Sequence, residues 1–285
     1  MTLPTTKEPG MRIANRWRGL ALAIVGAVVL AVGSLSAHDL FLKLDTYLLP
    51  PETSVRVTIL NGTFTKSEGV VARDRLADIS LVGPSGRRVL DTAAVTGRQK
   101  TSELRLSTGS EGTYVLGLSV RPREILLAGE QFNDYLKEEG IEAVLAQRTR
   151  DGKLKQPARE RYAKHVKAVL QVGKTRTETA SSVLGYAAEI VPLDNPYGLK
   201  RGETLRLRCL IGGRPVENLV VIAGGLGPKG ITLKETRLRT DSDGVVQLPL
   251  RVAGRWYAKF VKMDRSTLAG IDYESQWATL TFEVR

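Results

Sequence analysis

The sequence predicts a mostly β protein made of two β-sandwich domains, immunoglobulin-like or transthyretin-like, with a helical insert between them. Two observations predict this class. Short segments that alternate apolar and polar residues recur in the first and last parts of the chain, separated by turns rich in Gly, Pro, Asn and Asp. Between them lies a stretch whose apolar residues have the three- and four-residue spacing of helices. The predicted domains are 38–123, 124–175 (the insert) and 176–285.

The N-terminus has the pattern of a secretory signal peptide over residues 1–37. Residues 12–18 (RIANRWR) are basic, residues 20–33 (LALAIVGAVVLAVG) are apolar, and the small residues SLSA follow. The apolar run is shorter than the roughly 20 residues that span a bilayer. We therefore expect export to the periplasm or cell envelope with cleavage after Ala37 or Ser36. An uncleaved signal that tethers the protein to the membrane is the alternative.

The first sandwich is predicted from four β-rich segments and the turns between them. The turn sequence LPPE precedes the first predicted strand, and NGT, GPSG and TGSEG follow the first, second and third. The predicted strands are SVRVTIL (54–60), LADISLV (76–82), SELRLST (102–108) and TYVLGLSV (113–120).

The insert is predicted to contain two helical stretches. AGEQFNDYLKEEGIEAVLAQR has helical apolar spacing, and so does QPARERYAKHVKAVLQVG, in which Pro157 suits a helix start and Gly173 its end. The apolar positions with this spacing are Phe132, Tyr135, Leu136, Ile141, Val144 and Leu145 in the first stretch, and Tyr162, Val166, Val169 and Leu170 in the second.

The second sandwich is predicted from seven further strand-like runs after residue 176. Turns at NPYG, IGGRP, DSDG and VAG separate several of them. The runs are AAEIVPL, TLRLRCLI, ENLVVIAG, KETRLRT, VVQLPLRV, RWYAKFVKM and WATLTFEV. Seven short strands in about 100 residues are typical of an immunoglobulin-like sandwich.

Composition narrows the possible functions. The formal net charge is +12, but the basic residues are dispersed and not interleaved with aromatic residues, so no nucleic-acid partner is expected. A single cysteine, Cys209, excludes an intramolecular disulfide. Neither histidine lies in the sequence context of a catalytic serine or cysteine triad.

His38 is the strongest candidate for a metal ligand. Cleavage after Ala37 would make it the first residue, so that its α-amine and its imidazole could chelate one ion. The pKa of an α-amine is about 7.7–8.0, so the amine can lose its proton near neutral pH. Asp39 could add an oxygen, and His165, the second of only two histidines, could add a third nitrogen. Alternatively, His38 merely begins a strand and His165 is a packed residue on a helix.

Several segments together resemble a known family over nearly all of residues 37–285. They are AHDLFLKLD, NGTFTKSE, EGTYVLGLS, ERYAKHVKAVLQVG, LGYAAEIVPLDNPYGLKRGETL, GRPVENLVV, RTDSDGVVQLPL and GRWYAKFVKM with DYESQWATLTFEV. This set resembles the NikM-like proteins, a domain-of-unknown-function family of exported bacterial proteins described as substrate-specific components of nickel or cobalt uptake. The resemblance implies an exported double sandwich that handles a divalent metal. Similar proteins often carry a histidine where this chain has Lys262.

The leading hypothesis is therefore an exported, non-enzymatic protein that binds a divalent transition metal, Ni, Co, Cu or Zn, and serves a membrane metal-uptake system. The predicted ligands are His38, His165 and Asp39. The alternative is a structural or adhesion-like envelope module that binds a protein or glycan through loops at the sandwich ends. An enzymatic interpretation, a copper oxidase with a histidine brace, requires His38 and His165 to share one ion. The sequence leaves the oligomeric state open.

Overall fold

The computed structural model describes residues 1–2 and 38–285, and residues 38–285 belong to one compact unit. Apart from its first two residues, the predicted signal peptide lies outside the described residues, as do both predicted cleavage positions.

The described residues form seventeen strands, two α-helices and five short 3-10 turns. The strands are β1 (Asp39–Lys43), β2 (Leu48–Leu49), β3 (Ser54–Gly62), β4 (Leu76–Gly83), β5 (Gly86–Val89), β6 (Val95–Arg98), β7 (Thr101–Ser107), β8 (Gly112–Leu127), β9 (Ala158–Val172), β10 (Ala188–Pro192), β11 (Thr204–Ile211), β12 (Arg214–Pro215), β13 (Val220–Leu226), β14 (Thr232–Arg239), β15 (Val245–Pro249), β16 (Gly254–Arg265) and β17 (Tyr273–Val284). The helices are α1 (Gly129–Glu138) and α2 (Glu142–Arg150). The 3-10 turns are Arg73–Arg75, Thr92–Ala94, Glu178–Ser181, Pro196–Gly198 and Pro228–Gly230.

The strands of the described chain form three sheets. The central sheet has nine strands in the order β14-β13-β16-β17-β9-β8-β4-β5, with the short β2 also paired to β9. The N-terminal sheet has the order β1-β3-β7-β6, and the C-terminal sheet joins β10, β11 and β12, with β15 paired to β11. Most neighbours are antiparallel, but β9 is parallel to both β17 and β2.

The two smaller sheets cover opposite faces of the central sheet. Consecutive residues of a strand point to opposite faces. In β9, Val169 packs in the core with the C-terminal sheet, whereas Ala168 and Leu170 pack in the core with the N-terminal sheet. In β16, Phe260 joins the core of the C-terminal sheet and Val261 joins the core beneath the helices. One face therefore carries the C-terminal sheet, and the other carries the N-terminal sheet and both helices.

The predicted mostly β fold with sandwich packing is confirmed. All four strands predicted before residue 123 and all seven predicted after 176 coincide with observed strands. The first predicted helical stretch is also confirmed as α1 and α2, which Gly140 separates with a φ of 71° that a left-handed turn requires. Neither helix has the length and apolar character needed to cross a bilayer, within the part of the chain that the structure describes.

The second predicted helix, over 157–173, is wrong, because this segment is the central strand β9. Every residue from Ala163 to Val172 is buried, since both faces of β9 are covered and strands pair along both of its sides. A strand buried on both faces does not show the apolar–polar alternation of a half-exposed one. The helices of the insert 124–175 are thus confined to 129–150, while β8 and β9 form part of the central sheet. The division into domains itself stays a prediction.

Candidate functional site

His38 directly precedes β1, the edge strand of the N-terminal sheet. Leu40 and Leu42 of β1 point into the core of that sheet. Their backbone carbonyl oxygens accept hydrogen bonds from the hydroxyls of Thr279 (2.8 Å) and Thr281 (2.7 Å) on β17. The alternation in DLFLK thus packs β1 against the central sheet and fixes the start of the strand, where His38 lies.

The His38 side chain is partly exposed and bonds to a carboxylate. Its Nε2 lies 2.8 Å from Oε2 of Glu68, in the segment after β3. A carboxylate accepts hydrogen bonds, so Nε2 carries the proton. In the neutral ring, Nδ1 then has the free lone pair. The carbonyl oxygen of His38 accepts a hydrogen bond from the Lys164 ammonium.

Asp39 belongs to a buried ion triad, Asp39–Lys259–Glu139. Lys259 Nζ, on β16, lies 2.7 Å from Asp39 Oδ2 and 2.8 Å from Glu139 Oε1 at the end of α1. Asp39 Oδ1 and Glu139 Oε2 are buried and have no hydrogen-bond partner within the described residues. The triad joins the first residue of β1 to the helices and the central sheet, so Asp39 anchors the strand that carries His38.

The triad shifts the pKa values of two of its members. Burial and, next, the charge of Asp39 raise the pKa of Glu139 to about 7, against the opposing effect of Lys259. Burial alone would lower the pKa of Lys259, but the two carboxylates outweigh it and raise that pKa. Lys259 therefore stays a cation.

His165 is a packed residue of β9, not a helical one. Its Nδ1 lies 2.9 Å from the Ser119 hydroxyl and its Nε2 lies 3.0 Å from Gln276 Oε1. The ring stacks on Tyr186 with centroids 5.7 Å apart. Both ring nitrogens are thus already hydrogen-bonded, which fits the alternative interpretation of His165 as a packed histidine.

We expect His165 to make the protein less stable in acid. Burial lowers its pKa, although the hydrogen bond to Gln276 and the charge of Glu189 oppose this shift. An unfolded histidine has a pKa of about 6.5, so below that pH the unfolded chain binds the proton more readily than the folded one. The unfolding free energy should therefore fall less steeply between pH 6.5 and 5 in His165→Asn than in the original protein. If the unfolded state binds one proton more than the folded state, the slope is at most about 1.4 kcal/mol per pH unit.

Urea unfolding of both proteins at several pH values measures this effect. Above pH 7.5 the two stability curves should run parallel, because His165 is then neutral in both states. Identical slopes for both proteins on the acidic side would contradict the expectation.

The structure does not bring the three predicted ligands together. Lys164, which contacts His38, and His165 are consecutive in β9, so their side chains point to opposite faces of the central sheet. His38 lies on the face with the N-terminal sheet and His165 on the face with the C-terminal sheet. Within residues 38–285, no three His, Cys, Asp or Glu side chains form a group that could hold an ion. The predicted pairing of His38 with His165, which a histidine brace also requires, is therefore not found.

Two buried ionisable residues of β9 were not anticipated as neighbours of the site. Burial lowers the pKa of Lys164 to about 8, against the opposing charges of Asp39 and Glu160. Burial raises the pKa of Glu160, which accepts hydrogen bonds from Tyr135 (3.1 Å) and Ser275. Because residues 157–173 were predicted to form a helix, Lys164 and Glu160 were expected to be exposed to solvent. Their burial follows from the central position of β9 in the sheet. Lys262, where similar proteins often carry histidine, forms an ion pair with Asp264 on its own strand.

The fold and this site define a class: a mostly β protein with a nine-stranded central sheet, two smaller sheets on its faces, and a partly exposed histidine at the start of its first strand. Its family follows from the sequence. The chain belongs to the family described as "Domain of unknown function (DUF4198)", whose model matches residues 35–264. No curated protein matches the chain. Among solved structures, the chain is similar to a two-domain fibronectin type III segment of chicken tenascin, with 11% identity, a TM-score of 0.21, and coverage of 87% of this chain and 99% of that one.

Proposed function

We propose that the protein is exported and that His38, as the first residue of the mature chain, binds a divalent transition metal ion of the nickel or cobalt type. The protein catalyses no reaction in this proposal. It holds the ion weakly outside the cytoplasm and passes it to a membrane uptake system. The proposal combines the signal-peptide pattern, the resemblance to NikM-like proteins and the local geometry of His38.

The observation that carries the proposal is the contact between His38 Nε2 and Glu68. A histidine that binds a metal usually donates its other ring N–H to a carboxylate or carbonyl, which fixes the tautomer and raises the basicity of the ligating nitrogen. The 2.8 Å contact with Glu68 uses Nε2 and leaves Nδ1 as the ligating nitrogen. Nδ1 is also the ring nitrogen that lies closer to the α-amine of the same residue, so both can close one chelate ring.

The surroundings of His38 supply few further ligands, which favours weak binding. Its carbonyl oxygen accepts a hydrogen bond from Lys164, and the carboxylate of Asp39 on β1 is paired with Lys259. Two nitrogens would leave the remaining coordination positions to water. An ion held in this way exchanges readily, as delivery to a second protein requires.

Calorimetry on the exported protein tests the proposal. Its N-terminal residue is first determined by sequencing, and Ni²⁺, Co²⁺, Cu²⁺ and Zn²⁺ are then titrated separately. We expect saturable binding when His38 is the first residue and no measurable binding by His38→Ala. Glu68→Gln should weaken binding roughly 10- to 100-fold, because the carboxylate orients the ring.

Two controls distinguish the site from general metal binding. Glu124→Gln removes an exposed carboxylate on β8 and should leave the affinity unchanged. A mature chain that retains Ala37 keeps the imidazole but loses the chelate, so its affinity should fall. The proposal fails if binding is undetectable or is indifferent to His38→Ala, and the envelope-module alternative then gains support.

A further inference from the structure

A small cleft with a cationic lining opens beside the start of β1. Its volume is about 100 Å³, and its polar lining residues are Asn61, Arg75, Arg123, Tyr162 and Lys164. We call it the cationic cleft. Leu40 also lines it, so it lies two residues along the chain from His38, although the His38 ring is not part of its lining.

The cationic cleft concentrates positive charge without a carboxylate in its lining. Three of its residues are cations, contributed by the turn before β4 (Arg75), by β8 (Arg123) and by β9 (Lys164). Asp39 and Glu160 act on Lys164 through their charges, but neither lines the cleft. Like charges brought together in a concave site attract a small counter-ion from solution.

Several hydrogen-bond donors around the cleft are available to a ligand. Lys164 is only 7% exposed, yet within the described residues its ammonium donates one hydrogen bond, to the His38 carbonyl. Lys164 Nζ also lies over the Tyr162 and Trp277 rings, 5.2 and 4.9 Å from their centroids. A buried ammonium ordinarily needs acceptors for its remaining N–H groups.

The two arginines and the asparagine add further donors. Arg75 donates from Nε and Nη2 to the Arg121 carbonyl, at 3.2 and 2.9 Å, which holds its guanidinium in place above the Tyr162 ring. Its Nη1 makes no hydrogen bond in the described structure. The side chains of Arg123 and Asn61 likewise form no hydrogen bond or ion pair with any residue among 38–285. The donors therefore come from four separate chain segments.

We propose that the cationic cleft binds a small oxyanion, a carboxylate or phosphate group, through Arg75, Arg123, Lys164 and Asn61. Guanidinium groups and an ammonium are the side chains that proteins use for these anions. The cleft, with a volume of about 100 Å³, has room for a single carboxylate or phosphate group. This inference concerns a different ligand from the metal ion and does not depend on the proposed function.

The test is calorimetric titration of the full chain with acetate, malonate, phosphate and sulfate at constant ionic strength, with chloride as the reference anion. Comparison of the carboxylates with phosphate and sulfate identifies the preferred chemical group. Arg123→Gln is the main variant, because Arg123 is exposed, has no bond of its own to lose and should not affect folding. We expect it to weaken binding roughly 10- to 100-fold, as the loss of a charge-assisted hydrogen bond does.

Arg98→Gln is the matched control. It removes the same charge from an exposed position on β6 that does not line the cleft, and it should leave the affinity within about twofold of the original. A double variant, Arg75→Gln with Arg123→Gln, should abolish saturable binding, with circular dichroism confirming that it is folded. Equal weakening by Arg98→Gln and Arg123→Gln, or no saturable binding of any oxyanion relative to chloride, would overturn the proposal.

Discussion

Replacing Lys259 with methionine is expected to destabilise the protein by about 3–5 kcal/mol, the usual cost of removing one partner from a buried ion pair. Lys259 is the only member of the buried ion triad with a positive charge, and it contacts both Asp39 and Glu139. Methionine fills much of the same volume, so the loss measures electrostatics more than packing. Urea unfolding at pH 8 gives the free energy directly.

The pH dependence of the Lys259→Met effect gives a second check. Without the cation, the two buried carboxylates are destabilising only when they are charged. Burial already raises the pKa of Glu139 to about 7 in the intact triad. The difference in stability between the two proteins should therefore be smaller at pH 5 than at pH 8.

A triple variant provides the control for this prediction. Asp39→Asn, Glu139→Gln and Lys259→Met together remove every charge of the triad and should recover a large part of the lost stability, because no uncompensated charge is left. A Lys259→Met protein within about 0.5 kcal/mol of the original, the range of ordinary surface substitutions, would show that the triad is not a structural anchor.

Replacing Glu189 with alanine is expected to cost a similar amount, about 3–5 kcal/mol. The side chain of Glu189 is only 1% exposed, and its carboxylate lies 3.0 Å from Lys167 Nζ. It also accepts hydrogen bonds from the backbone N–H groups of Leu184 (2.9 Å), Gly185 (2.7 Å) and Tyr186 (2.9 Å). Alanine would leave the buried Lys167 ammonium without its counter-charge and three backbone N–H groups without their acceptor.

Glu189→Gln separates the two contributions. Glutamine keeps one acceptor oxygen for the backbone groups but removes the charge opposite Lys167, so its unfolding free energy should fall between those of the original protein and Glu189→Ala. Lys167 retains a hydrogen bond to the Ser182 carbonyl (2.9 Å) in both variants. Equal stabilities for the original protein and Glu189→Ala, measured by thermal and urea unfolding, would refute this account.

Strands with one face in the core and one in solvent were predictable from the sequence, because buried apolar and exposed polar residues alternate along them. TLRLRCLI alternates because Leu205, Leu207 and Cys209 point into the core of the C-terminal sheet while Arg206 faces outward. The strand β9 was not predictable in this way. Lys164 and Lys167 are buried there because their partners, the carbonyl of His38 and the carboxylate of Glu189, come from distant segments of the chain. No local pattern encodes such pairing.

The candidate site was only partly predictable for the same reason. One of the two interpretations of His38 that the sequence offered was that it begins a strand, and the structure places it directly before β1. Its contact with Glu68 depends on how the segment after β3 folds back, and the position of His165 on the far side of the central sheet depends on the register of β9. Asp39 has the chemistry of a ligand but forms an ion pair with Lys259, which lies 220 positions further along the chain.

The parallel pairing of β9 with β17 has a consequence for assembly. Partners in this ladder, such as Arg161 and Glu274, are separated by 113 positions, and β17 is the last strand of the described residues. Contacts of such long range form slowly, because a large loop must close before they are gained. We expect refolding to be slow, and a chain truncated before Tyr273 to expose an unpaired edge of β9 and aggregate.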